Sequence, residues 1–154
     1  MSAKPLSLRR LTPGERALAN EMFGDGLDAE RVRIATIPLW NRAFVAGPGL
    51  IVWPARGLPD DFSFAPLGLQ AVFVHELTHV WQAQNGIRLL LAKIKAGDSH
   101  ASYAYDLSGG PDFAGLNIEQ QAMVVQHAFL ASRGAKTPHP PELYANAQRA
   151  WRRG

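Results

Sequence analysis

A chain of 154 residues with a formal net charge of +3 and 47% hydrophobic residues is the size of one ordinary domain and carries enough apolar material for a core. It has no cysteine, which excludes disulfides, thiolate metal sites and cysteine nucleophiles, so any metal must be held by histidine and carboxylate. Arginine and lysine are not massed into runs with interleaved aromatics, which argues against nucleic-acid binding, and neither the start, MSAKPLSLRRLTPGERALAN, nor any later stretch has the apolar length of a leader core or a membrane span.

We therefore expect one soluble domain over residues 1–154, cytoplasmic when made, without a signal peptide and with no membrane partner; export by a secretion machine that needs no cleavable signal is compatible with this. In TPGERALANEMFG, Thr12 is a good N-cap and Pro13 a good first helical residue, and the helix should end near Gly24. RVRIATI alternates Val32, Ile34 and Thr36 with Arg31, Arg33 and Ala35 and reads as a strand. AFVAGPGLIVWPARG reads as two short strands, Ala43 to Ala46 and Leu50 to Trp53, hinged at Gly47-Pro48-Gly49. The expected sheet is small and mostly antiparallel. From Pro66 to about Gln84 apolar residues recur at helical spacing, with Asn85-Gly86 as a stop. Leu89 to Lys95 is expected to be helical or irregular, SYAYDL extended and GGPDFAGLN a loop. A second long helix should run from near Asn117 to Ser132, followed by the rigid TPHPPE linker and a short amphipathic helix from Glu142 to Arg152. Trp40, Trp53, Trp81 and Trp151 are taken as bulky core material.

The stretch FVHELTHVWQ lies inside the first long helix. At about 100° per residue, His75 and His79 project from one face a turn apart, so both imidazoles can reach one ion. Glu76 is offset to the side, where its carboxylate can act on a water at the ion as a general base. Such a string also arises by chance in ordinary helices. Here Val72, Phe73, Val74, Leu77, Val80 and Trp81 make the helix apolar nearly all round, and a buried His, Glu, Thr and His group is costly unless paired or metal-bound. The extended motif with a glycine at position 82 and a histidine at position 85 is excluded by Gln82 and Asn85. Two glutamates follow, Glu119 and Glu142, and Glu119 is preferred as third ligand because nearby Ala122 permits close helix approach; its bland alternative is a carboxylate that complements a helix N-terminus.

His127 is a weaker ligand candidate, His100 and His139 are poorer still, and Asp106 and Asp112 stay open. Thr78 and Gln82 are expected to hydrogen-bond behind the ligands or to backbone. Tyr103 and Tyr105 alternate in SYAYDL, so either phenol could support a developing oxyanion, or both are simply strand aromatics. The Leu50 to Trp53 strand is expected to border the cleft and offer its edge to an extended peptide. The GDGLD turn lacks the oxygen spacing of a calcium loop.

FGDGLDAERVRI, AFVAGPGLIVWP and HELTHVWQ, in that order, are similar to the small zincin-like metallopeptidase domain associated with bacterial toxins and contractile injection systems. YAYDLSGGPDFAGLNIEQQAMVV resembles more closely a set of short bacterial proteins labelled Vgr-related. The resemblance covers roughly residues 11–130 and leaves the tail from Lys136 outside, as a lid or a docking helix. It implies a gluzincin-like site in which His75, His79 and Glu119 hold Zn2+ and Glu76 is the base. The expectation is thus an α+β, zincin-like fold, with a small antiparallel sheet packed on the HExxH helix and a C-terminal helical part. The expected activity is zinc-dependent hydrolysis of a peptide or protein substrate, with Glu76 and Tyr105 as catalytic residues. The rival is a non-catalytic adaptor of a secretion apparatus in which zinc only ties two helices together. The intact Glu76 favours the enzyme; the small size favours the adaptor.

Overall fold

The computed structural model describes residues 6–97 and 99–154. A short strand β1 (Leu8–Arg10), not expected from the sequence, precedes helix α1 (Pro13–Phe23). Thr12 caps α1 reciprocally: its hydroxyl accepts from the Glu15 N–H at 3.1 Å, and the Glu15 carboxylate accepts from the Thr12 N–H at 2.9 Å. Glu15 is fully buried and also receives two 2.8 Å bonds from the Arg9 guanidinium and one from the Phe62 N–H, so one carboxylate joins β1, α1 and the turn at Phe62–Phe64.

Strands β2 (Arg33–Ile37), β3 (Phe44–Val45) and β4 (Leu50–Pro54) complete a four-stranded sheet of order β1-β2-β4-β3. The hairpin at Gly47-Pro48-Gly49 forms as read, with Phe44 opposite Val52 and Val45 opposite Ile51. The sheet is mixed: two of its three pairings are antiparallel, but β4 rather than β3 lies beside β2, in parallel register from Arg33 opposite Leu50 to Ile37 opposite Pro54. Burial explains the exchange: Ile51, Val52 and Trp53 are all buried and take the centre, while two-residue β3 is left at the edge. The expectation that Leu50 to Trp53 borders the cleft is corrected accordingly; β3 does.

Helix α2 (Leu67–Gln84) crosses the sheet and packs most extensively against α5 (Ile118–Ser132). Its end is built from Asn85, whose side chain donates to Trp81 O, and Gly86 at φ 93°. Helix α3 (Leu89–Ala96) follows, then α4 (His100–Tyr103), so SYAYDL begins as a helix and is not an extended stretch. The carbonyls it leaves open are met by the N-terminus of α5: Asn117 donates to Ser102 O and Gln120 to Ala104 O, which removes the need for a strand partner. Tyr103 and Tyr105 therefore do not share a strand face.

The tail is part of the core. Tyr144 of α6 (Pro141–Ala147) and Trp151 are buried, Trp151 stands 5.0 Å from the Phe113 ring, and the Arg153 N–H donates to Phe23 O. Gly24, at φ 54°, lies so close to this strand-like end that a Cβ would come within 1.9 Å of Arg153 O. Trp40, in contrast to Trp53 and Trp151, is 48% exposed. Among the described residues no helix is long and apolar enough to cross a membrane.

Candidate metal centre

α2 presents His75, Glu76 and His79, all buried, toward the first turn of α5. There an Asn117–Gln120 capping box fixes the helix start and puts Glu119, 2% exposed, opposite both imidazoles. His75 Nε2 lies 3.3 Å from Glu119 Oε2 and His79 Nε2 lies 3.4 Å from Glu119 Oε1. One donor atom from each of the three residues falls within 4.8 Å of the others. The three ligands expected from the sequence are thus brought together.

The rings are aimed by glutamines. Gln82 Nε2 donates to Ile118 O and Gln121 Oε1, both at 2.9 Å, so its carbonyl oxygen must be the atom facing His79 Nδ1 at 2.8 Å. Gln126 Oε1 faces His75 Nδ1 at 2.9 Å. An amide oxygen can only accept, which places a ring proton on His79 Nδ1, and in both rings it is Nε2 that faces Glu119. Two imidazole nitrogens and a carboxylate converging on one point need a positive species between them, a proton on Nε2 or a metal cation, and two nitrogens with one oxygen is a donor set that suits zinc. Burial disfavours charge on Glu119 and His79. Contact nevertheless holds the Glu119 carboxyl well below the usual carboxylate range, through the hydrogen bonds and charge of His75 and His79, and raises His79 above an ordinary histidine through Glu119 and Glu76.

Glu76 Oε2 is buried without a hydrogen-bond partner. Glu76 lines, with His75, His79 and Glu119, a cleft of about 300 Å³ that is also bordered by Val45, Lys93, Tyr103 and Gln126. Lys93 Nζ reaches within 3.6 Å of Glu119 Oε1. Tyr105 is not among the lining residues; its hydroxyl is held between His127 Nδ1 at 2.5 Å and Tyr144 OH at 2.6 Å, and burial together with Tyr144 pushes its ionisation far upward. The tyrosine that lines the cleft is Tyr103. His127 is committed to Tyr105, Asp106 to Ser108, and Asp112 caps the turn at Phe113–Gly115, so none joins the ligand cluster; nor do His100, His139 or Glu142. Thr78 donates to Val74 O. Gln126 and Lys93 were missed. Gln126 was accessible in principle, since it falls two turns after Glu119 on the same helix face; Lys93 depends on how the chain folds back after Gly86.

No protein-family profile matches the chain. Over 135 residues it is 36% identical to the type VI secretion system spike protein VgrG2b of Pseudomonas aeruginosa, an overlap of 79% of this chain and 13% of that protein, so it spans only a small part of that relative's length. It is similar in structure to the effector domain of Pseudomonas aeruginosa VgrG2b, with a TM-score of 0.72 and 30% identity, over 99% of this chain and 87% of that one. The likeness therefore includes the tail.

Proposed function

The chain belongs to the family of the VgrG2b effector domain, and on that premise we propose that it is a zinc-dependent peptidase of gluzincin type on a zincin-like fold, working with a type VI secretion apparatus. The observation that carries the enzymatic part is Glu76: it lines the cleft beside His75, His79 and Glu119, and one of its carboxylate oxygens is buried with no partner. A site that merely tied α2 to α5 would have no use for it.

His75, His79 and Glu119 would hold the ion, with Gln82 and Gln126 fixing the two rings. Zinc bound there supplies Lewis acidity, polarising a scissile carbonyl and acidifying water. Glu76 then takes the proton of the attacking water and delivers it to the leaving amine, and its burial keeps it from being satisfied by bulk solvent. Tyr103, rather than Tyr105, offers a phenol to the developing oxyanion. The outward backbone of β3 receives the substrate as an added strand. The relative is named as a spike protein, and the proposed link of this chain to such an apparatus rests on that likeness.

Metal analysis of the purified chain, followed by a peptide-library cleavage assay, tests the reading. Glu76→Gln should keep zinc and fold but lose hydrolysis by about 10²-fold or more. Undiminished turnover in the zinc-loaded variant would replace the enzyme with the adaptor. Appearance of the protein outside the cell should cease when the type VI apparatus of the producing bacterium is inactivated; continued export would break that link.

A further inference from the structure

The large exposed apolar side chains are concentrated beside the cleft. Leu39 (104% exposed) and Trp40 (48%) stand on the segment leading into β3, and Leu90 (76%), Leu91 (58%) and Ile94 (72%) stand on α3, a helix with no buried residue. Between these two lips runs a groove of about 800 Å³, lined by Trp40, Phe44, Leu89 and Leu90. It is continuous with the metal-site cleft, sharing Phe44, Val45, Leu89 and Lys93 with it. Contiguous apolar surface of this kind is kept open at a cost and marks a site of association.

Charge narrows what it accepts. The sequence has no Asp or Glu between Arg31 and Pro59, nor between Leu77 and Gly97, while Arg42, Arg88, Lys93 and Lys95 lie in those segments. Arg42, Arg88 and Lys93 line the groove; Lys93 is paired with Glu119, whereas Arg88 is exposed with no ion-pair partner among the described residues. The lips are thus cationic and apolar, and the site carboxylates lie in the adjoining cleft. Backbone direction narrows it further. The Ala46 N–H donates to Leu50 O at 2.9 Å; since hydrogen-bonded pairs alternate along an antiparallel ladder, Phe44 also bonds across to β4, and the N–H and C=O of Ala43 and Val45 point outward to the groove. A bilayer would leave those groups unpaired, whereas an extended chain satisfies them.

We propose that this groove is a specificity subsite of the same active site. It takes an extended peptide carrying a large apolar side chain between Trp40 and Leu90 and an acidic side chain against Arg88, within a few residues of the bond cleaved. The inference rests on the peptidase reading above for the cleavage and on the groove alone for the binding.

The test compares the zinc-loaded chain in a peptide-library cleavage assay with zinc-loaded Glu76→Gln in direct binding of fluorescent peptides from the same library. Cleaved and bound sets should share enrichment in Asp or Glu next to a large apolar residue. Arg88→Glu should lower kcat/KM and affinity for acidic members by at least about fivefold while leaving zinc content and uncharged peptides unchanged. Selective binding to Glu76→Gln with no cleavage by the native chain would overturn the peptidase reading and leave the subsite standing. Cleavage without this enrichment, or an unchanged profile in Arg88→Glu, would overturn the subsite and leave the peptidase. Neither binding nor cleavage overturns both, and Arg88-dependent association with anionic phospholipid vesicles in place of peptide selectivity overturns the peptide assignment.

Discussion

Gln82 has its amide nitrogen occupied twice on α5 and its oxygen on His79, so the same side chain that seals the α2–α5 interface also sets the tautomer of a proposed ligand. Replacing it leaves the ring free to turn. Gln82→Ala should weaken zinc binding by about 10- to 100-fold, measured by chelator competition. Glu119→Ala should weaken it more, since it removes one donor of three while most of the metal-free fold stays intact. His127→Ala should do much less, because that ring is held by Tyr105 rather than by the cluster. A larger loss from His127→Ala than from Glu119→Ala would mean that the third ligand is misassigned.

At the scale of elements, β3 gives the clearest experiment. It is an edge strand of two residues, and the register turns the Val45 N–H away from β4. Proline is tolerated at such an edge position because no ladder bond is lost. Val45→Pro should therefore keep the sheet, the zinc content and the circular dichroism spectrum, and raise KM for peptide substrates. If KM stays the same, substrate does not pair with this edge. β4 offers no comparable site, since it is paired on both sides.

For the whole molecule, the tail separates a lid from a structural closure. Trp151 is 1% exposed against Phe113, and Arg153 exchanges backbone bonds with Phe23 and Asp25. A hinged lid would make few such contacts. Trp151→Ala should cost about 3–5 kcal/mol of stability, read from the midpoint of urea unfolding. A shift near zero would restore the tail as a movable element.

What the sequence determined by itself was local: the α1 cap at Thr12, the long α2 with its Asn85-Gly86 end, the Gly47-Pro48-Gly49 hairpin and the start of α5 near Asn117. In each the chemistry lies within a few neighbouring residues. The spacing of His75, Glu76 and His79 was legible for the same reason, one helical turn being a local ruler. Glu119 was reachable from outside that ruler only because few glutamates follow the motif and the family resemblance pointed to one of them. The tertiary structure decided the rest. Strand order depends on which strand the core buries on both sides, and Ile51 to Trp53 outcompeted Phe44 and Val45. SYAYDL turned helical at its start because α5 offered hydrogen-bond donors to its carbonyls. That packing, invisible in the periodicity of six residues, turned Tyr105 to His127 and left Tyr103 on the cleft.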